Sequence, residues 1–348
     1  MDNICHTLAG LAIGETGLKR RCTSRLAAAT LMIGANLPDV DVLAYAISPL
    51  AALGFRRGWT HGILAMALWP LVLAGVMWGL EELTRGKGKG EGGKNGDSLP
   101  LSPSPFPRFR GLLLLSALSI WSHPLLDLLN TYGVRLLMPF SGRWFYGDTL
   151  FIVDPWVWLT LLAGVVLSWL AQRRGSPRPF RPGRIAGGAV LGYLVVMAML
   201  GVMSRGAVRR SLAGEGLEVE RLMVAPAPVH PLRKYAVAVV PGGYTTADVS
   251  WFLAQSPDGT PIRRAGPIVQ WGGALEERGD SLPAARRAAA TEVGRIFLSW
   301  ARFPVFESGA EADCDAGMVC IRDLRYYRQG WAEVAVPVGA PLSSPATP

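Results

Sequence analysis

Charge is scarce in this chain, and in places it is absent. Residues 62–80, 155–172 and 185–204 contain no Asp, Glu, Lys or Arg. Only 18% of residues are charged while 50% are hydrophobic, which excludes an ordinary water-soluble globule. Each uncharged run is close to the ~20 residues that a helix needs to cross a bilayer. Cysteine is also sparse. Cys5 and Cys22 have no spacing that suggests a cluster, and Cys314 and Cys320, six apart, fit either a disulfide or two free thiols. The N-terminus lacks a basic region followed by a strong apolar run and carries Asp2 instead, so the first segment is expected to be retained rather than cleaved. No internal repeat is evident.

What is present is apolar. Residues 111–133 form a fourth long run, broken only by His123 and Asp127. Residues 26–55 form a fifth, interrupted by Asn36-Leu-Pro-Asp-Val-Asp41, and residues 3–18 form a sixth, partial one. The net charge of +9 does not point to nucleic acid, because the basic residues gather in short connections between the runs. Lys19–Arg25, Arg85–Arg110 and Arg173–Arg184 are the three clusters. The positive-inside pattern places them in the cytoplasm. The expected topology is a multi-pass protein of a bacterial inner (plasma) membrane, with six crossings, the N-terminus outside and residues 205–348 outside. Membrane lipids are the expected surroundings.

The expected fold is an α-helical polytopic membrane domain of about five to six helices, followed by a small α+β, mostly strand, soluble domain. The expected boundaries are membrane helices over 1–84, a Gly/Lys/Ser/Pro-rich cytoplasmic linker over 85–110, membrane helices over 111–204, an extracytoplasmic domain over 205–339 and a disordered tail over 340–348. Strands are expected at 235–240, 249–252, 318–322 and 331–338, with turns at Pro241-Gly-Gly and Pro257-Asp-Gly-Thr260. One amphipathic helix is expected over 283–303.

Against this background a few polar residues stand out. A charged side chain in hydrocarbon costs about 2.5–3.5 kcal/mol on insertion scales, so it needs a partner or a task. Pro38 interrupts the fifth run and puts Asp39 and Asp41 on a non-helical turn, where both carboxylates can face one point. Arg57-Gly-Trp-Thr-His61 opens the next run, with Thr60 a candidate helix cap. His123 and Asp127, four apart, share one helix face. Asp2 and His6 repeat that spacing at the N-terminus. On the expected topology all of these lie at a similar depth, toward the outer face. Converging His and carboxylate side chains from several helices is a common way to build a metal site in a bundle. The alternative at each position is bland: a solvated loop, a capped helix end, or a His–Asp hydrogen bond joining helices. His230 lies beside prolines in the later domain and reads as structural. Asp148 and Asp154, on the last outer connection, are candidates to support the ligands, and Asp154 equally to cap the following helix.

The ordered set Asp2-x-x-x-His6, Leu37-Pro-Asp-x-Asp41, Arg57-Gly-x-Thr-His61 and Ser122-His-x-x-x-Asp127 resembles the bacterial membrane-bound, metal-dependent hydrolases described as LexA-binding and inner-membrane-associated. Residues 131–141, 226–231 and 323–326 resemble the same family more loosely. The resemblance implies a membrane-embedded metal site in which His6, Asp39, His61, His123 and Asp127 are ligands and Asp41 is a ligand or general base. The layout is also reminiscent of zinc-dependent phospholipase C-type enzymes.

Mixed His and carboxylate ligation suits Zn²⁺ first, with Mn²⁺ or Fe²⁺ as alternatives, and the number of candidate ligands allows one or two ions. The expected activity is hydrolysis of an ester or phosphoester, lipid-like and taken from the outer leaflet. Asp41 is the expected base, and Arg57 the stabiliser of an anionic transition state. The competing expectation is a non-enzymatic membrane protein. Its outer domain would bind a partner or an envelope polymer, and its intramembrane polar residues would serve packing or ion movement.

Overall fold

A computed structural model describes residues 1–22, 24–88, 105–255, 261–271, 283–308, 314–315, 317–326 and 332–337. The chain divides into two compact units: residues 1–41 with 57–197, and residues 42–56 with 198–348.

The first unit is helical. Its helices are α1 (Asn3–Glu15), α2 (Ser24–Asn36), α4 (Ile63–Gly88), α5 (Pro105–Leu128), α6 (Pro155–Arg173) and the first half of α7 (Arg181–Gly214). Among the described residues, five segments are long and apolar enough to cross a membrane: Arg25–Ala46, Ile63–Thr84, Phe109–Leu128, Pro155–Arg173 and Arg181–Gly214. The expected sixth run is helical too, but α1 has only 13 residues, about 20 Å at 1.5 Å per residue, short of the ~30 Å hydrocarbon core. Large apolar side chains face outward, Leu64, Leu68, Leu71, Val72 and Val76 of α4 among them. A surface of this kind is at home in lipid.

Small residues bring the helices together. Helix α2 packs against both α1 and α5. At Gly10 of α1 a Cβ would sit 2.6 Å from the carbonyl oxygen of Leu31 on α2, so only glycine allows this approach. Asp2 caps α1, its Oδ1 accepting from Ile4 N and Cys5 N at 3.0 Å each. Its Oδ2 accepts from the Trp158 indole on α6 at 3.0 Å. The N-terminal Asp-x-x-x-His pair is thus divided: Asp2 does cap work, and His6 alone faces inward. Asp154 caps α6 and accepts from the Tyr193 hydroxyl at 3.0 Å.

The interrupted run departs from expectation in its geometry. Helix α2 ends at Asn36 and continues as a ten-residue 3₁₀ helix, Leu37–Ala46, so Asp39 and Asp41 sit on a tight helix rather than a non-helical turn. Pro38 supplies no N–H and so breaks the i→i−4 ladder, and the chain winds tighter. Runs of 3₁₀ beyond three or four residues are uncommon.

The second unit holds α3 (Pro49–Phe55), the end of α7, and two antiparallel sheets. One is the meander β1 (Arg221–Pro226), β2 (Arg233–Val240), β3 (Gly243–Gln255) and β4 (Pro261–Trp271). The other contains β5 (Pro304–Ser308), β6 (Met318–Asp323) and β7 (Glu333–Pro337). Alternation along β1–β3 builds two cores. Val224, Ala236, Ala238 and Val249 pack on Val208 and Leu212 of α7, while Met223, Val237, Val239 and Tyr244 pack with Phe303, Val305 and Leu324. The four expected strand segments fall on β2, β3, β6 and β7, and Gly242, at φ 95°, makes the turn between β2 and β3.

The single helix expected over 283–303 is two: α8 (Pro283–Ala290) and α9 (Glu292–Trp300). Thr291 breaks it by accepting the Gly294 N–H on its own hydroxyl at 3.0 Å, which starts a new helix there. Cys314 and Cys320 are joined in a disulfide. Of the expected linker, 89–104 lies outside the described residues, and its two ends continue α4 and α5. The Pro257-Asp-Gly-Thr260 turn and the 340–348 tail also lie outside them.

Candidate metal centre

Three elements of the first unit deliver four polar side chains to one buried point. The 3₁₀ helix carries Asp39, the turn before α4 carries His61, and α5 carries His123 and Asp127 on one face. Each of these four offers one ligand atom, and the four atoms lie within 4.8 Å of one another. His61 Nε2 is 3.1 Å from His123 Nε2. Asp127 Oδ2 is 3.5 Å from each of those nitrogens. Asp39 Oδ1 is 3.8 Å from His61 Nε2 and 3.7 Å from His123 Nε2. Ligand atoms about 2.0–2.1 Å from a tetrahedral ion lie about 3.3 Å apart, so these separations suit one ion.

The surroundings fix which nitrogens carry lone pairs. His123 Nδ1 is 2.6 Å from the Ala35 carbonyl oxygen, which can only accept, so Nδ1 holds the proton and Nε2 the lone pair. The Thr60 hydroxyl donates to Asp41 Oδ2 at 3.2 Å and faces His61 Nδ1 at 2.9 Å. With its proton spent on Asp41, Thr60 accepts from His61 Nδ1, and His61 Nε2 keeps its lone pair too. Two Nε2 atoms and two carboxylate oxygens therefore converge, with the far nitrogen of each ring engaged elsewhere. Metal-binding histidines are commonly oriented in this way, by a carbonyl or carboxylate on the far nitrogen.

Asp41 belongs to that outer layer and not to the group of four. Its Oδ2 lies 3.5 Å from His61 Nδ1 and accepts the Arg57 N–H at 2.7 Å. The bond helps hold Arg57 at φ 51°, a left-handed conformation, with Arg135 N donating to the Arg57 carbonyl at 2.8 Å. The Arg57 side chain reaches inward instead. Its Nε is 3.1 Å from Asp127 Oδ2, Nη1 donates to Asn130 Oδ1 at 3.1 Å and to the Gly133 carbonyl at 3.3 Å, and the guanidinium lies over the Tyr132 ring. Asp127 Oδ2 receives no well-aligned hydrogen bond even so. The orphaned oxygen faces the same point as the two Nε2 atoms, which fits a cation there.

His6 stands beside the group rather than in it. Its ring stacks on His123 with centroids 3.7 Å apart, and its Nε2 is 3.3 Å from Asp127 Oδ1. Neither ring nitrogen makes a hydrogen bond among the described residues. The Met1 amino group also contacts Asp127 Oδ1. Asp148 and Asp154 are buried outside the group, and His230 is exposed on the β1–β2 connection of the other unit.

Three contributors escaped the sequence reading. Thr60 is a bridge between Asp41 and His61 and not a helix cap. Asn130 holds Arg57, and its place three residues after Asp127 in an apolar run was the available signal. The Ala35 carbonyl has no side-chain signature at all.

Residues 1–208 match the family described as "YdjM inner membrane protein", and the chain belongs to that family. The match contains every residue of the centre and agrees with the resemblance read from the motifs. It ends before the looser fragments at 226–231 and 323–326. An uncharacterized protein of Bacillus subtilis (strain 168), YfhP, is 24% identical over 184 residues, which cover 51% of this chain and 48% of that protein. The chain thus spans about half the length of this curated relative. No solved structure matches.

Proposed function

We propose that this protein is a membrane-embedded, metal-dependent hydrolase, cleaving an ester or phosphoester of lipid-like character at the outer leaflet of the inner membrane. The observation that carries the reading is the convergence of the His61 and His123 Nε2 atoms, 3.1 Å apart, with carboxylate oxygens of Asp39 and Asp127. Two imidazoles and two carboxylates suit Zn²⁺, with Mn²⁺ or Fe²⁺ as alternatives, and the group of four takes one ion. When bound, such an ion lowers the pKa of a water toward 7 and supplies a nucleophile at neutral pH.

The chain's own residues divide the remaining work. His61 and His123 are fixed by Asp41–Thr60 and by the Ala35 carbonyl. Asp127 is anchored by Arg57. Four protein ligands would close a tetrahedral site, whereas a catalytic one keeps a position open, so three of these residues would hold the ion and one carboxylate would act beside it. Asp39 is the candidate. It is 5% exposed where the other three are fully buried, and it rides on the 3₁₀ segment. Outside the ligand set, its carboxylate would accept a proton as general base. Asp41, engaged by Arg57 N and Thr60, acts by positioning His61. Arg57 keeps a positive charge at the site, which favours an anionic phosphoester over a neutral ester.

Detergent-purified protein, stripped and then reloaded with Zn²⁺, Mn²⁺ or Fe²⁺, should be assayed on p-nitrophenyl phosphate, p-nitrophenyl acetate and a phosphatidylglycerol micelle. Metal-dependent turnover that disappears in Asp39→Asn, while metal content persists, supports the reading. Full metal loading with no turnover on any of the three would leave a structural metal site and refute the hydrolase.

A further inference from the structure

Helix α6 and the first half of α7 are clamped together within the first unit. Ser168 Oγ accepts the Gly183 N–H at 2.8 Å, and Asp154 accepts from the Tyr193 hydroxyl at 3.0 Å. Between these bonds Gly164 meets Ala186, where a Cβ on the glycine would lie 2.4 Å from the alanine Cβ. The pair is thus fixed at three heights.

One side of the pair is hollow. A groove of about 910 Å³ runs along it, lined at its base by the buried Gly164 and Ala186. Residues three and four apart put one face of each helix on its walls, with Leu159, Ala163 and Leu167 from α6 and Ile185 and Ala189 from α7. All of these wall residues are exposed. The α6 lining runs from Trp156 to Ala171, about 22 Å at 1.5 Å per residue. That exceeds the ~15 Å depth of one leaflet of the hydrocarbon core, so an acyl chain fits lengthwise.

One end of the groove is basic. Residues 174–180 join two segments able to cross a membrane, Pro155–Arg173 and Arg181–Gly214, and so lie at a membrane boundary. There the lining becomes Ser176, Arg178 and Arg181. Both arginines are exposed, and among the described residues neither guanidinium makes an ion pair or a hydrogen bond. No Asp or Glu lines the groove. Neighbouring arginines are engaged elsewhere: Arg173 lies over the Trp169 ring, and Arg184 donates to the Thr16 carbonyl at 2.9 Å. The N-terminus of α7 is not the attraction, because Pro182 has no N–H and that of Gly183 is spent on Ser168.

An apolar slot one leaflet deep, with two uncompensated cations at headgroup level, has the charge pattern that complements an anionic phospholipid. A neighbouring apolar helix would fill the slot and leave both guanidiniums without a counter-charge. Arginine suits phosphate oxygens through its planar fork. We propose that the α6–α7 groove binds one anionic phospholipid of the surrounding membrane, with an acyl chain along Leu159, Ala163 and Ile185 and the headgroup phosphate at Arg178 and Arg181. None of the residues of the metal centre lines this groove, and the inference does not rest on hydrolysis.

Native mass spectrometry of the detergent-purified full chain tests it, with phosphatidylglycerol, phosphatidylcholine or inorganic phosphate added to the micelle. Phosphatidylglycerol should be retained over phosphatidylcholine. Arg178→Gln and Arg181→Gln should each cut that retention about fivefold, the effect of one basic residue at a membrane surface. Arg173→Gln with Arg174→Gln, in the same connection but outside the groove, should leave it intact. Ala163→Phe with Ala189→Phe fills the slot, keeps both arginines and should abolish retention. Equal retention of the two lipids by the parent, or an equal loss in the Arg173 and Arg174 control, would overturn the site in favour of diffuse surface charge. Retention that survives the filled slot would refute the seat for the acyl chain. Competition by inorganic phosphate would make this a free-anion site instead, and a dimer that the filled slot disrupts would make the groove an interface between copies.

Discussion

His61 Nε2 lies 3.1 Å from His123 Nε2, with both rings buried and the far nitrogen of each holding its proton against another acceptor. Neutral imidazoles in that arrangement repel through their lone pairs. A cation between them turns the repulsion into ligation, and Asp39 and Asp127 complete the set. Changes that loosen this arrangement have distinct expected consequences.

Thr60→Val removes the hydroxyl that links Asp41 to His61 and keeps the side-chain volume. Supporting partners of this kind are worth about 10–100-fold in metal affinity. Competition against a chelator of known affinity should show a loss in that range, with helical circular dichroism unchanged.

Arg57→Ala strips the guanidinium from Asp127 and leaves a buried carboxylate short of its partner. Breaking one side of a buried ion pair costs about 3–5 kcal/mol. The thermal midpoint in detergent should fall sharply in metal-free protein and recover in part on metal addition, since the ion neutralises the same oxygen.

Gly10→Leu drives a side chain into the Leu31 carbonyl and prises α1 from α2. Overpacking of this type costs about 1–3 kcal/mol. Because α2 carries the Ala35 carbonyl that holds the His123 ring, metal affinity should fall along with stability. A His6→Ala variant, which spares the helix contact and the group of four, should keep most of its metal.

Cys314→Ala with Cys320→Ala opens a loop of six-residue separation. The chain-entropy estimate for so short a loop is about 2 kcal/mol. Reductant should lower the unfolding midpoint of the parent and leave the double variant unmoved.

The membrane helices and the four clustered polar residues were legible because the physics behind them is local. A charge inside an apolar run is visible in one dimension, and Asp39, His61, His123 and Asp127 announce themselves that way. The division of labour between Asp39 and Asp41 was not legible, because residues two apart on a turn look alike until the 3₁₀ helix aims one at the Nε2 atoms and the other at the Thr60 hydroxyl. The Ala35 carbonyl is backbone and leaves no mark in composition. The break at Thr291 was hidden for a similar reason. Apolar spacing continues across it, and only the hydroxyl bond to Gly294 N shows that one helix stops and another starts. His6 stands between these cases: the resemblance made it a ligand, but its place beside the group follows from stacking on His123.

Metal content tests the central claim most directly. Inductively coupled plasma mass spectrometry on detergent-purified protein, beside the His61→Ala plus His123→Ala variant, should find about one transition-metal ion per chain in the parent. The variant should be folded by circular dichroism and hold none. A parent that stays metal-free after reconstitution with Zn²⁺, Mn²⁺ or Fe²⁺, or a variant that binds as well as the parent, would contradict the account.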